Sequence, residues 1–100
     1  MKYNVELTRR ADADIEEAYL YIHDDSPSNA IKWRIGLTRV CESLAKFPMR
    51  CPVAPESTYF GREVRHAFIG RYRIIYAIKS RRVTILHVRH SARLPLNKGN

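Results

Sequence analysis

The sequence predicts an α+β domain, in which a two-helix hairpin packs on one face of a four-stranded, mainly antiparallel twisted sheet (order β-α-α-β-β-β). Three observations predict it: one short alternating run near the start, two long helical repeats, and three alternating runs in the last third. Helices grouped apart from most of the strands are typical of the α+β class. Because 100 residues provide one core, we expect a single domain over residues 1–100.

A change of hydrophobic period predicts the first strand and the first helix. Residues 3–7 alternate between apolar and polar side chains, which indicates a strand. Thr8 is then a candidate N-cap, because its hydroxyl can accept a hydrogen bond from a free backbone N–H of the next turn. Residues 9–24 follow helical spacing. The apolar stripe of this helix consists of Ala11, Ile15, Ala18, Tyr19 and Ile22.

Ser26 and Pro27 mark the start of a second helix, expected over residues 27–46. Ser26 can cap the helix, and proline suits its first position because no N–H is needed there. The short connection between the helices predicts an antiparallel hairpin. We interpret Gly36 as a point of close approach to the first helix. The apolar residues of the second helix follow a three-four alternation: Ala30, Trp33, Leu37, Val40, Leu44 and Phe47.

Three strands are predicted after a stiff, proline-rich loop at residues 48–59, which we expect to pack across an end of the domain. Turn signals at Gly70-Arg71 and Ser80-Arg81 separate the strands. The middle strand carries apolar residues on both faces, which is typical of a central strand. We expect the sheet face away from the helices to be free, with Arg73 pointing to it. The strands cover residues 63–68, 72–78 and 83–88.

Positive charge is concentrated in the last third of a chain whose net charge is +8. A clustered excess of arginine favours nucleic acid or an acidic protein as a partner. Residues 61–95 contain one acidic residue, Glu63, and nine cationic ones: Arg62, Arg65, Arg71, Arg73, Lys79, Arg81, Arg82, Arg89 and Arg93.

Several protein classes are disfavoured by the sequence. The first ten residues contain no apolar segment typical of a signal peptide, and no apolar run is long enough to span a bilayer. Cys41 and Cys51 show neither CxxC nor Cys/His metal spacing. We therefore expect a cytoplasmic protein with free thiols, no metal, no cofactor and no membrane partner.

Short motifs follow one another in a fixed order along nearly the whole chain. They are Val5-Glu6-Leu7-Thr8 with Ala11 and Asp14-Ile15, Tyr19-x-Tyr21-Ile22, Pro27 with Ala30 and Trp33, Leu44 with Pro48, Gly70-Arg71-Tyr72-Arg73-Ile74-Ile75-Tyr76, and Val88-Arg89-His90-Ser91-Ala92-Arg93. Together they resemble the RelE/ParE superfamily of toxins from bacterial type II toxin–antitoxin modules. The resemblance implies a small basic toxin, neutralised by a cognate acidic antitoxin, that acts in plasmid maintenance or growth arrest. The oligomeric state stays open, with a heterotetramer or a larger complex with the antitoxin as one arrangement.

The two branches of this superfamily imply different targets. RelE-like members enter the ribosomal A site and cut mRNA without a metal, by attack of a ribose 2′-OH on the adjacent phosphate. By this resemblance Arg65 and Arg73 would contact the phosphate and His90 would transfer protons, with Arg93 as a further candidate. ParE-like members instead inhibit DNA gyrase.

The C-terminal segment favours the ParE-like branch. RelE-like enzymes keep a tyrosine after the last strand, whereas residues 91–100 here contain none. We also expect the C-terminal catalytic helix of that branch to be absent or very short. We therefore predict a gyrase inhibitor. Two alternatives stay open, an mRNA endonuclease and a degenerate toxin that only binds its antitoxin. Arg73 could equally be a structural residue paired with a carboxylate, and His90 a solvated or binding residue. The predicted binding surface consists of Arg62, Arg71, Arg81, Arg82, Arg89 and Arg93.

Overall fold

A computed structural model of the protein describes residues 2–96. It confirms the α+β class and the predicted order of the main elements. The connection between the second helix and the second strand also contains a 3-10 turn, Pro48–Arg50, and a short helix, α3 (Ser57–Phe60), which were predicted as loop. The main elements are β1 (Asn4–Leu7), α1 (Arg9–Asp25), α2 (Pro27–Leu44), β2 (Arg65–Ile69), β3 (Tyr72–Lys79) and β4 (Arg82–His90).

The four strands form one mixed sheet in the order β1-β4-β3-β2. β1 pairs with β4 in parallel, and the other two pairs are antiparallel. Both predicted turns are two-residue hairpin loops, Gly70-Arg71 and Ser80-Arg81. The φ angle is 57° at Gly70 and 55° at Ser80, as such loops require.

Both helices begin at the predicted caps. The Thr8 hydroxyl accepts a hydrogen bond from the Ala11 N–H at 3.0 Å, and the Ser26 hydroxyl accepts one from the Asn29 N–H at 3.3 Å. Pro27 occupies the start of α2. Each helix start is thus determined by local chemistry that the sequence displays.

The main core lies between the helical hairpin and the sheet. Gly36 makes a close approach there, but to β2 and not to α1, so that part of the prediction was wrong. A Cβ atom on Gly36 would lie 2.5 Å from Cδ1 of Ile69. The buried residues of this core are Ala11, Ile15, Ala18, Trp33, Leu37, Leu44, Ala67, Ile74, Tyr76, Val83, Ile85 and Val88.

The opposite face of the sheet is covered, which corrects the expectation that it is free. Ala54 and Val64 of the α2–β2 connection pack there on Ile75 and Ala77 of β3. The Ser57 hydroxyl joins the two ends of this layer, because it donates to the carbonyl of Ala54 and accepts from the N–H of Val64. The apolar side chains of β3 are therefore covered by the helical hairpin on one face and by the α2–β2 connection on the other.

Within residues 2–96, no helix combines the length and the hydrophobicity that a membrane crossing requires.

Candidate functional site

Arg65 and Arg73, the two predicted phosphate contacts, lie on opposite faces of the sheet. Arg65 pairs with Tyr76, whose side chain is in the main core on the helical side. Arg73 pairs with Phe68. It lies three positions before Tyr76 in β3, an odd spacing that puts the two side chains on opposite faces. Because successive side chains of a strand alternate between faces, the guanidinium groups of Arg65 and Arg73 cannot contact one phosphate from the same face of the sheet.

Arg65 fastens the α2–β2 connection to the sheet. Its Nη1 donates to the carbonyls of Cys51 at 2.5 Å and Met49 at 3.2 Å, and its Nη2 lies 3.2 Å from Oε1 of Glu63. The side chain is 16% exposed. In this structure Arg65 therefore holds the 3-10 turn in place.

Arg73 forms a buried, two-pronged ion pair with Glu56. Nη1 donates to Oε1 at 3.0 Å and Nη2 to Oε2 at 2.5 Å, and the two side chains are 7% and 0% exposed. The parallel fork of two bonds is the geometry that suits arginine and carboxylate. Glu56 is thus the carboxylate partner that Arg73 would need for a structural role, which was one of the two roles considered for it.

Two further groups complete the surroundings of this pair. Nη1 of Arg73 lies 2.9 Å from Nδ1 of His66, and since arginine only donates, that nitrogen accepts. Burial and the charge of Arg73 lower the pKa of His66. Burial alone would raise the pKa of Glu56, but the hydrogen bond and charge of Arg73, together with backbone N–H groups including that of Leu96, outweigh it and lower the pKa. Glu56 is therefore ionised beside a neutral His66 near neutral pH.

His90 lies apart from Arg73, on the helical side. It pairs with Tyr72, and the two rings meet edge to face with centroids 5.2 Å apart. Nδ1 of His90 accepts a hydrogen bond from the Ala92 N–H at 3.0 Å. Arg65, Arg73 and His90 are thus distributed over two faces and are not brought together at one point.

A pocket of about 350 Å³ lies between α1 and the end of β4, with His90 and Arg93 in its lining. Arg93 lies 3.7 Å from Glu17 across the pocket. The α1 residues of this pocket were not among the predicted site residues. Asp14, Glu17 and Tyr21 follow one another at spacings of three and four, which would have placed them on one helix face. The lining residues are Asp14, Glu17, Ala18, Tyr21, Tyr72, Val88, His90, Ala92 and Arg93.

Asp14 anchors α1 to β4 at the base of this pocket. Its Oδ2 accepts the N–H of Val88 at 3.0 Å, and its Oδ1 accepts from Arg10 at 3.0 Å. Nδ1 of His87 is 3.4 Å from Oδ2 without the alignment of a hydrogen bond. Burial lowers the pKa of His87 and outweighs the opposing charge of Asp14.

The arginines of the predicted binding surface separate into two groups. Arg71, Arg89 and Arg93 lie where β3 begins and β4 ends, whereas Arg62, Arg81 and Arg82 lie near the β3–β4 loop. The two groups are separated by the length of the eight-residue β3, roughly 23 Å at the usual rise per residue. The protein therefore presents two cationic regions at opposite ends of the sheet.

Comparisons with known proteins agree with this architecture. A family model described as the ParE toxin of the type II toxin–antitoxin system parDE matches residues 5–95. The fold is similar to that in the chromosomal ParDE toxin–antitoxin system from P. aeruginosa, with 20% identity, a TM-score of 0.68, and coverage of 89% of this chain and 96% of that one. It is also similar to the RelBE2 toxin–antitoxin complex from Mycobacterium tuberculosis, with 24% identity, a TM-score of 0.60, and coverage of 90% and 99%. No curated protein gives a significant match.

The family match extends from β1 through the segment that follows β4. It includes the helical hairpin, the buried Arg73 on β3 and the pocket at the end of β4. It confirms the resemblance to the RelE/ParE superfamily and its ParE-like side. The chain belongs to the ParE toxin family of type II toxin–antitoxin systems.

Proposed function

We propose that this toxin arrests bacterial growth from the cytoplasm by inhibiting DNA gyrase, and that it serves a plasmid-stabilising module. The observation that carries the proposal is the separation of Arg65, Arg73 and His90 over two faces of the sheet. Gyrase inhibition is what the ParE-like branch implies, and it requires a binding surface and not a nuclease centre.

Cleavage of mRNA is the alternative that this geometry disfavours. Metal-free attack by a 2′-OH needs cations and a proton-transfer group around a single phosphate. Both terminal nitrogens of Arg73 are engaged by Glu56, and the pair is almost completely buried. His90 lies on the other side of the sheet beside carboxylates of α1, which would repel a phosphate.

The pocket between α1 and β4 is the surface that we assign to gyrase. Tyr21 at its edge is 71% exposed, and the side chain of Arg93 is 57% exposed. Tyrosine and arginine dominate the energetic centres of protein interfaces. Mixed charge next to an exposed aromatic ring suits a protein partner better than a polyanion.

An acidic antitoxin is the second proposed partner. The two solved structures compared above are of toxin–antitoxin systems. The net charge of +8 here would attract an acidic chain. The outer side of the helical hairpin exposes Leu20, Ile31 and Ile35. An amphipathic segment of the antitoxin could fold onto these residues as it binds.

Co-expression with the product of the neighbouring open reading frame, which the proposal expects to be a small acidic protein, tests the antitoxin proposal. A stable complex on a sizing column, with its stoichiometry measured by light scattering, is the expected result. Separate elution of the two proteins would contradict it.

The gyrase proposal is tested by brief induction in bacterial cells together with supercoiling assays on the purified toxin. We expect inhibited supercoiling, a DNA-damage response and intact transcripts. Tyr21→Ala with Arg93→Ala should weaken inhibition, while the control Arg9→Ala with Lys32→Ala, at exposed positions outside the pocket, should not.

Two outcomes would overturn the gyrase proposal. New in-frame mRNA cleavage sites, mapped at 5′ ends and lost in His90→Ala, would make the protein an endonuclease. Growth without arrest, combined with antitoxin binding, would make it a degenerate toxin. Arg73→Ala is unsuitable for this test, because loss of its buried ion pair would destabilise the fold and so reduce either activity.

A further inference from the structure

The loop between β3 and β4 carries a cationic cluster outside the pocket that we assign to gyrase. It surrounds a pocket of about 520 Å³ at the end of the sheet opposite to the α1–β4 pocket. Four of its seven described lining residues are cationic, and none of those seven is acidic or aromatic. We call the residues that line this pocket the hairpin cluster. They are Asn4, Arg62, Lys79, Ser80, Arg81, Arg82 and Thr84.

Strand pairing forces two of these cations together. Lys79 and Arg82 are directly paired across the two-residue loop, so their Cβ atoms are only about 5 Å apart on one face. Like charges at such positions destabilise a sheet. The chain thus keeps a locally unfavourable arrangement, which a bound anion would turn into a favourable one.

One carboxylate partly compensates this charge. Oε2 of Glu6 lies 3.5 Å from Nε of Arg82, but the two side chains are 55% and 63% exposed. An ion pair this exposed contributes little free energy and opens readily. The positive charge of Lys79 and Arg82 therefore remains accessible to a ligand.

We propose that the hairpin cluster binds the phosphodiester backbone of duplex nucleic acid without reading its sequence. Arginine and lysine with hydroxyl and amide groups, here Ser80, Thr84 and Asn4, are the side chains that contact phosphate and sugar. Single-stranded nucleic acid is held by aromatic rings that stack on bases, and the described lining has no such ring. This inference does not depend on gyrase being the target.

Fluorescence anisotropy with short labelled duplexes of two unrelated DNA sequences tests the proposal over a range of salt concentrations. The purified toxin should bind both duplexes equally, with affinity that falls as salt rises. Lys79→Ala with Arg82→Ala should weaken binding about tenfold and reduce the slope of log K against log salt by about 2. Equal binding of duplex RNA supports the same phosphate chemistry.

Arg9→Ala with Lys32→Ala is the matched control, since it removes the same charge from exposed positions outside the hairpin cluster. It should change the affinity less than about threefold. Thermal unfolding of both double variants checks that the fold is kept. Equal weakening in the two variants, equal binding of polyglutamate, tighter binding of single-stranded DNA, or no binding at low salt would each overturn the proposal.

Discussion

Glu56 is the residue on which the second face of the sheet depends. Its carboxylate is completely buried and accepts both terminal nitrogens of Arg73 as well as the N–H of Leu96. It thereby joins the α2–β2 connection, β3 and the segment after β4. Replacing both residues of a buried ion pair with apolar ones lowers the stability of the fold less than replacing one, because a single remaining charge would be buried without a partner.

Arg73→Met should lower the free energy of unfolding by about 3 to 5 kcal/mol, because it leaves the Glu56 carboxylate buried without its partner. Adding Glu56→Leu to the same chain should restore much of the loss. Urea denaturation of the two single variants and the double variant measures this. The control Arg82→Met removes an exposed ion pair and should cost at most about 1 kcal/mol. Additive losses in the double variant would contradict the assignment.

At the scale of elements, Thr8 connects α1 to β4. Its hydroxyl caps α1 by accepting from Ala11 N–H at 3.0 Å, and it lies 3.1 Å from the carbonyl of Ile85, to which it donates. Its own N–H donates to the same carbonyl at 3.1 Å. One side chain thus determines both where the helix begins and where it sits on the sheet.

Thr8→Ala should destabilise the protein by about 1 to 2 kcal/mol, because the cap and the bond to β4 are lost together. Thr38→Ala is the matched control. Thr38 is exposed on α2 and donates only to the carbonyl of Arg34 within its own helix, so the change should stay within about 0.5 kcal/mol. Chemical denaturation compares the two, and an equal loss at both positions would be inconsistent with a special role for Thr8.

The contact between α2 and β2 gives a second prediction at this scale. Gly36→Ala improves helix propensity by roughly 1 kcal/mol, but its Cβ would lie 2.5 Å from Cδ1 of Ile69. Ile69→Val removes that atom. We therefore expect the free energy of unfolding of the double variant to exceed, by at least about 0.5 kcal/mol, the value obtained by adding the effects of the two single changes. Additive free energies in this cycle, measured by urea denaturation, would show that the interface absorbs the methyl group.

At the scale of the whole molecule, protonation equilibria make stability depend on pH. Burial lowers the pKa of His66 and of His87, and the contacts of Glu56 lower its pKa despite burial. Each group binds its proton more weakly in the folded state, so the unfolded state takes up more protons on acidification. Stability therefore falls as pH drops below the ordinary histidine pKa of about 6.5. It falls again at lower pH, below the ordinary pKa of a glutamate side chain.

The midpoint of thermal unfolding should accordingly decrease between about pH 7.5 and about pH 5, where the histidine contributions are lost. His66→Asn with His87→Asn should flatten this decrease, since neither asparagine titrates. His23→Asn is the control, because His23 is exposed at the end of α1. A midpoint that rises on acidification would contradict the sign of the argument.

The local features of the fold could be predicted because their causes are local. The caps at Thr8 and Ser26, the two hairpin loops and the helical stripes depend on residues within a few positions of one another. The resemblance to the RelE/ParE superfamily also rested on short motifs in the right order, and the family match confirmed it. Predictions of this kind need no knowledge of which elements pack together.

Relations between distant segments follow only from how the elements pack. The sequence was sufficient to predict the types and order of the main helices and strands, the basic character of the last third and the family. It could not show that the α2–β2 connection covers the second face, that Glu56 pairs with Arg73, or that Gly36 contacts Ile69. Hydrophobic periodicity reports that a side chain is buried but not which partner buries it. Whether two arginines share a face depends on strand register, and register exists only once the strands have paired.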